Sequence, residues 1–177
     1  MAKGFTANFT MEEYLLFQET FSYNPISGNL VRKVKSKSRN NKGSICGSNH
    51  NGYLRLCLFG KAHLVHRICW VLYYGFESQP RLIDHEDGNG SNNKLENLRV
   101  ATYEDNNHNS CVRKDSSTGI KGVIRNRTIR ESYYGIVKSN KQGYYLGNFD
   151  TREEAEMAVI TKRAGLHGEF ANNGEKK

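Results

Sequence analysis

Residues 82–109 read LIDHEDGNGSNNKLENLRVATYEDNNHN, and the fold turns on how this stretch is parsed. Leu82-Ile83 is a short apolar run that ends in Asp84-His85. A loop of Gly, Asn and Ser follows from Asp87 to Asn93, where Gly88 and Gly90 permit positive φ and the Asn side chains can bond their own backbone. A second apolar run, Leu98 and Val100, comes after Asn97. Thr102-Tyr103-Glu104-Asp105 has the form of a helix entry, with Thr102 as N-cap and an acid three places on. The order is therefore strand, loop, strand, helix. It sets a histidine beside a carboxylate on the first strand and an amide, Asn106, on the helix.

An imidazole is the side chain most easily poised to take a proton from water near neutral pH. A carboxylate and an amide oxygen are hard donors that suit magnesium or manganese. One base and one divalent ion suffice to hydrolyse a phosphodiester, the ion neutralising charge on the phosphorus oxygens and the leaving oxygen. Taken singly, an Asp-His pair beside an Asn-rich turn is also what a polar hairpin without chemistry looks like.

The whole ordered pattern resembles the ββα-metal fold of HNH endonucleases, in particular their phage and homing branch, with its pattern DHxxGxxxxNxxxNL followed by a helical Asn. The loop glycine is present, Asn97 in Glu96-Asn97-Leu98 lies twelve residues after His85, and Asn106 lies twenty-one after it. The resemblance implies His85 as general base, Asp84 and Asn106 as ligands of one Mg²⁺ or Mn²⁺, and Asn97 as the brace of the loop that aims His85. Asn107 and His108 stand close enough to share the candidacy for the helical ligand.

The 177 residues carry a formal net charge of +8, a balance that favours polyanionic partners. No window is long and apolar enough to span a bilayer, and the N-terminus has no signal-peptide core, so a cytoplasmic place in a bacterial or phage-infected cell is expected. Cys46, Cys57, Cys69 and Cys111 form no CxxC pair, which argues against structural zinc. Cys57 and Cys69 sit among apolar neighbours and are expected to be buried, reduced thiols.

Before the central stretch, about eight residues of loose leader are expected, then a helix over 11–20 from the capping box Thr10-Met11-Glu12-Glu13. Asn24 to Asn29 reads as a turn, and Leu30, Val31 and Val34 as a strand. Residues 32–42 hold Arg32, Lys33, Lys35, Lys37, Arg39 and Lys42 without an acid. Such a run is commonly a solvated loop, and beside a nuclease centre it becomes a candidate phosphate-tracking arm. Tyr53 to Phe59 alternates and turns at Gly60-Lys61 into Leu64-Val65 as a hairpin. Ile68 to Tyr74 reads as a buried helix around Trp70, ended by Gly75. His66-Arg67 before it is a further point of resemblance, with His66 read as structural and a phosphate contact as the lesser option for either residue.

After a polar linker at 112–118 the chain changes character. Lys121 to Arg127, Tyr133 to Lys138 and Gly143 to Phe149 read as strands, and Thr151-Arg152-Glu153-Glu154 as a capping box before a helix with the stripe Ala155, Ala158, Val159. Six Lys/Arg and one acid, Glu131, lie between Lys121 and Lys141. Arg125 and Arg127, two apart, would share a strand face, and such a ribbon can enter a DNA major groove. Gly122-Val123-x-Arg125-x-Arg127, Tyr145-Leu146-Gly147-x-Phe149-Asp150-Thr151-x-Glu153-Glu154-Ala155 and His167-Gly168-Glu169-Phe170-Ala171 resemble the Apetala-type ethylene-response-factor DNA-binding domain. That resemblance implies Arg125, Arg127, Lys138 and Lys141, with Tyr134 and Tyr145, as the DNA-binding set. Ile124 and the connection from Thr128 to Ser132 depart from its pattern.

The expectation is an α+β protein: leader and short helix to residue 20, an HNH nuclease domain over 21–111, the linker, an Apetala-like domain over 119–171, and a tail. It would cut double-stranded DNA as a homing-type endonuclease, leaving a 5′-phosphate and a 3′-hydroxyl, with no membrane and no obligatory protein partner. The rival is a DNA-binding regulator on a catalytically idle HNH scaffold. The presence of Asp84, His85 and Asn106 together argues against it.

Overall fold

Helix α1 (Met11–Thr20) begins at its capping box: Thr10 accepts from the Glu13 backbone and Glu13 reaches back to the Thr10 N–H. The computed structural model describes residues 8–35, 42–58, 60–113, 115–128 and 132–175. The expected leader, except its last residue, and Lys37, Arg39, Phe59 and Glu131 lie outside them. The chain is a mixed α+β protein of two compact units, Met1–Ala101 and Thr102–Lys177.

In the first unit α1 leads directly into a small hairpin, β1 (Phe21–Tyr23) with β2 (Leu30–Arg32), closed by the Asn24 to Asn29 turn. Phe21 opens β1 directly after the helix, and Val34, expected in the strand with Leu30 and Val31, falls beyond β2. A three-stranded antiparallel sheet follows, β3 (Ser48–His50), β4 (Tyr53–Leu58) and β5 (Lys61–Leu64), in that spatial order. β3 was not legible because all three of its residues are exposed and polar. Cys57, expected inside, points outward from β4, since the strand's alternation gives it the solvent side; Cys46 and Cys69 are buried, and all four thiols are free.

Helix α2 (Val65–Tyr74) starts three residues earlier than the apolar run suggests and ends on Gly75 at φ 91°. It is buried on nearly all sides. Ile68, Cys69 and Val65 enter one core with Phe9, Phe17, Phe21 and Leu30, while Trp70 turns to a second small cluster with Ile83 and Leu98. Those two belong to the ribbon of β6 (Ile83–His85) and β7 (Leu98–Val100), an antiparallel pair with Asp84 opposite Arg99 and His85 opposite Leu98. A 3-10 turn, Leu95–Asn97, enters β7. The expected strand-loop-strand order is present.

The second unit opens with the short helix α3 (Tyr103–His108), capped by Thr102 and Asp105 in a reciprocal pair. A three-stranded antiparallel sheet follows: β8 (Val123–Arg125), β9 (Tyr133–Ser139) and β10 (Gln142–Phe149), with β9 central. Helix α4 (Arg152–His167) crosses one face, and Ala155 and Val159, both fully buried, rest on Val123 and Val137. The core is thin, as the small residues imply.

The division falls after Ala101, ahead of the expected linker, and the reason is visible around α3. Lys121 Nζ donates to the carbonyls of His108 at 2.5 Å and Ser110 at 2.6 Å. Asn172 donates to the Asn109 carbonyl at 2.9 Å, and Val112 of the expected linker bonds the Gly174 carbonyl. His108 stacks on His167 with ring centroids 3.5 Å apart. A six-residue helix is too short to persist alone, so its order comes from these partners.

Phe17, 1 % exposed and packed edge-on against Phe9, is the test of the first core. Phe17→Ala should cost about 3–5 kcal/mol. Urea unfolding followed by the fluorescence of the single tryptophan, Trp70, reads that loss in the first unit alone.

Candidate active site

Strand alternation decides what surrounds the Asp-His pair. Ile83 and His85 share one face of β6 and Asp84 takes the other. On α2, His66 and Trp70 lie one helical turn apart and therefore on one face. Trp70 packs with Ile83 and Leu98, and the His66 ring meets the His85 ring edge to face, centroids 4.9 Å apart. Tyr53 closes the pocket from β4, its ring 5.7 Å from His85 and 5.9 Å from His66. Asp84 and His85 are each 4 % exposed.

Burial pushes the His85 imidazole below its ordinary value, against the pull of its bond to Asn93 and the charges of Asp87 and Asp84. His66 is pushed well below, by burial first and then by His85 and Arg67. Both rings are therefore neutral at pH 7, the form in which an imidazole can accept a proton. Arg67 is buried too, its guanidinium donating to the Pro80 carbonyl at 3.1 Å, which gives it a structural post.

On the opposite face, Arg99 Nε donates to Asp84 Oδ2 at 3.0 Å, and Nη2 lies 3.0 Å from the same oxygen as an ionic contact. A buried carboxylate already facing one cation belongs to the hard-oxygen class that suits a divalent ion, as does the amide oxygen of Asn106. Among the described residues no group of three or more His, Cys, Asp or Glu could hold a metal. A carboxylate with an amide falls outside that description.

The loop between β6 and β7 is built on side-chain amides. Asn97 Oδ1 accepts from the Asp87 N–H at 3.0 Å, while its Nδ2 donates to Asp87 Oδ1 at 3.0 Å and to the Asn92 carbonyl at 2.8 Å. Burial raises the Asp87 carboxyl, but hydrogen bonds from Asn92, Asn89 and Asn97 outweigh it and keep it below the usual carboxylate range. Gly88 has φ 70°, as expected. Gly90 serves another purpose: a Cβ there would sit 2.5 Å from the Tyr53 ring and 2.7 Å from the Gly52 carbonyl.

Asp84, His85 and Asn97 thus lie together in the first unit, and Asn106 on α3 in the second. Asn93 and Arg99 had no role assigned from sequence. Asn93 stands in the DHxxGxxxxN pattern itself, and Arg99 is a lone charge between Leu98 and Val100, directly across from Asp84.

Of the candidate DNA contacts, Arg32 lies beside the Phe21 ring at 5.1 Å and Lys33 donates to the Gln18 carbonyl at 2.7 Å; Lys35 is exposed. In the second unit Ile124, Tyr134, Lys138 and Tyr145 share the sheet face away from α4, with the Tyr134 and Tyr145 rings 6.1 Å apart. Arg125 has the alternation of Val123 and is exposed at the end of β8; Arg127 follows the strand and Lys141 sits in the β9–β10 turn.

Residues 63–108 match the HNH endonuclease family, a span running from β5 to α3. Protein 3.8 of Escherichia phage T7 is 33 % identical over 115 residues, covering 64 % of this chain and 92 % of that protein. An uncharacterized HNH endonuclease of Acanthamoeba polyphaga mimivirus is 34 % identical over 113 residues, 63 % of this chain, and the match spans 57 % of that relative's length. No solved structure matches.

The buried imidazoles set the acid limb of stability. Their folded values lie below the unfolded one, so the contribution is present above about pH 6.5 and is lost as pH falls through the folded values. The first unit should lose stability between pH 7 and pH 5, and His66→Gln should lose less. Urea midpoints at the two pH values give the comparison; equal losses in both proteins would exclude His66 as the source.

Proposed function

The chain belongs to the HNH endonuclease family, hydrolases that cut DNA, and from that premise we propose that it is a metal-dependent, homing-type endonuclease acting on double-stranded DNA with His85 as general base. The observation that supports this most is the buried His85, its imidazole pushed below its ordinary value by burial, next to a buried carboxylate on the ribbon that α2 covers. His85 takes the proton of the attacking water. Asp84 and Asn106 are the residues that would hold one Mg²⁺ or Mn²⁺, which when bound stabilises charge on the phosphate and the departing 3′ oxygen. Arg99 orients the Asp84 carboxylate, and Asn97 keeps the loop in shape beside His85.

The second unit would read the DNA through its Apetala-like sheet. The face with Tyr134, Lys138 and Tyr145 offers aromatic surface and a cation, and Arg125, Arg127 and Lys141 flank it at the strand ends. Base contacts specify and phosphate contacts position, so Arg32, Lys33 and Lys35 fit the second task. No helix among the described residues is long and apolar enough to cross a membrane.

Supercoiled plasmid with Mg²⁺ should be cut, and EDTA should stop the reaction. His85→Ala should lower the rate about 10²–10⁴-fold with DNA affinity unchanged. Wild-type cutting by that variant would remove His85 from its role. Arg127→Ala should weaken DNA binding evenly across sequences and reduce the salt slope by about one if it meets phosphate, or relax one base position by about 1–3 kcal/mol if it meets a base. A binding-site selection at two salt concentrations separates the two.

A further inference from the structure

Asn93 is 1 % exposed, and its Oδ1 lies 3.1 Å from His85 Nε2. A carbonyl oxygen only accepts, so the bond requires the proton on Nε2. A neutral imidazole carries one N–H, and Nδ1 is then the nitrogen with the lone pair. We propose that Asn93 is a positioning residue that holds His85 as its Nε2–H tautomer, so that Nδ1 is the atom that takes the proton from water. This rests on the reading of His85 as the base.

Asn93 is gripped by a part of the fold remote in sequence. The Tyr23 hydroxyl donates to the Asn93 carbonyl at 2.7 Å, and the Leu95 N–H donates to the Pro25 carbonyl at 3.0 Å. Gly28, at φ 74°, approaches so closely that a Cβ would stand 2.5 Å from Lys94 N and 2.7 Å from the Asn93 carbonyl carbon. The β1–β2 hairpin therefore sets where the Asn93 backbone lies, and Asn93 sets the imidazole. The amide nitrogen of Asn93 is buried without a hydrogen-bond partner. Leaving such a group unsatisfied is costly, and a native structure retains it where the other half of the amide has a task.

In the step that follows, a water O–H bond breaks and its proton goes to Nδ1. The freed electron pair forms the new P–O bond as the bond from phosphorus to the 3′ oxygen breaks. That oxygen leaves with the pair and is protonated by solvent. Nε2–H continues to donate to Asn93 Oδ1 throughout, and the bond strengthens when the ring becomes a cation.

The test begins with the wild-type full chain, labelled with ¹⁵N at histidine and observed at a pH where His85 is neutral. Nε2 should be the protonated nitrogen; a proton on Nδ1 would mean that Asn93 donates, and would overturn the proposal. Asn93→Leu, similar in shape and without an acceptor, should lower kcat about 10–100-fold with the Kd for DNA unchanged, and should lose the Nε2–H signal from the protected region. Asn93→Asp keeps an acceptor and no donor, and should recover both the signal and most of the rate. If Asp fails as Leu does while folded by circular dichroism, the acceptor role is wrong. Cleavage by His85→Ala at the wild-type rate would instead sink the assignment of the base, whatever tautomer the spectrum shows.

Discussion

Three-residue strands do not hold themselves together, and the β6–β7 ribbon exists because one face of α2 covers it. Trp70 supplies the apolar surface that Ile83 and Leu98 need, each of which gains about 1.5–3 kcal/mol by leaving water. His66, one turn away on the same face, supplies a polar wall for His85. The helix thereby does two things with one surface: it stabilises the ribbon, and it strips water from the imidazole. An apolar side chain at 66 could do the first as well, and would give His85 a different second neighbour.

The loop that follows has no ladder and no apolar core. Its order comes from amides, each of which offers a donor and an acceptor on one rigid plane. Asn97 satisfies both partners of a peptide turn at once, and Asp87 collects bonds that an isolated loop carboxylate would take from water. Two neighbouring turns then clamp this loop from outside, one at Gly90 and Ser91 by way of Gly52, the other at Asn93 and Leu95 by way of the first hairpin. Such a loop is specified by hydrogen-bond geometry, so it tolerates few substitutions yet exposes little apolar surface.

Local signals in the sequence were strong where the chemistry is local. Thr10, Thr102 and Thr151 each begin a helix for the reason that a hydroxyl three residues ahead of an acid implies, and the ribbon, α2 and the second sheet lie where period and turn residues put them. What escaped is non-local. β3 has no pattern because both its faces are wet, and Cys57 looks buried in a string of apolar letters although strand parity turns it outward. The partner of Asp84 depends on register, which fixes Arg99 only once the loop length is known. The boundary before α3 depends on Lys121, Asn172 and His167, residues whose contacts with that helix no reading of its own six residues could suggest. Arg125 and Arg127 were spaced as strand neighbours, but β8 ends at Arg125.

The bond from Tyr23 to Asn93 joins positions 70 residues apart. Contacts of that span carry a large loop-closure cost and are expected to form late in folding, after the hairpin and α2 have their own structure. During synthesis the hairpin emerges well before the loop it grips. A growing chain would thus hold His85 before Asn93 is in place against it, and that alignment would arrive only when the loop docks. Long-range docking works as a delay: His85 is aligned only once the loop of the first unit has docked on the hairpin.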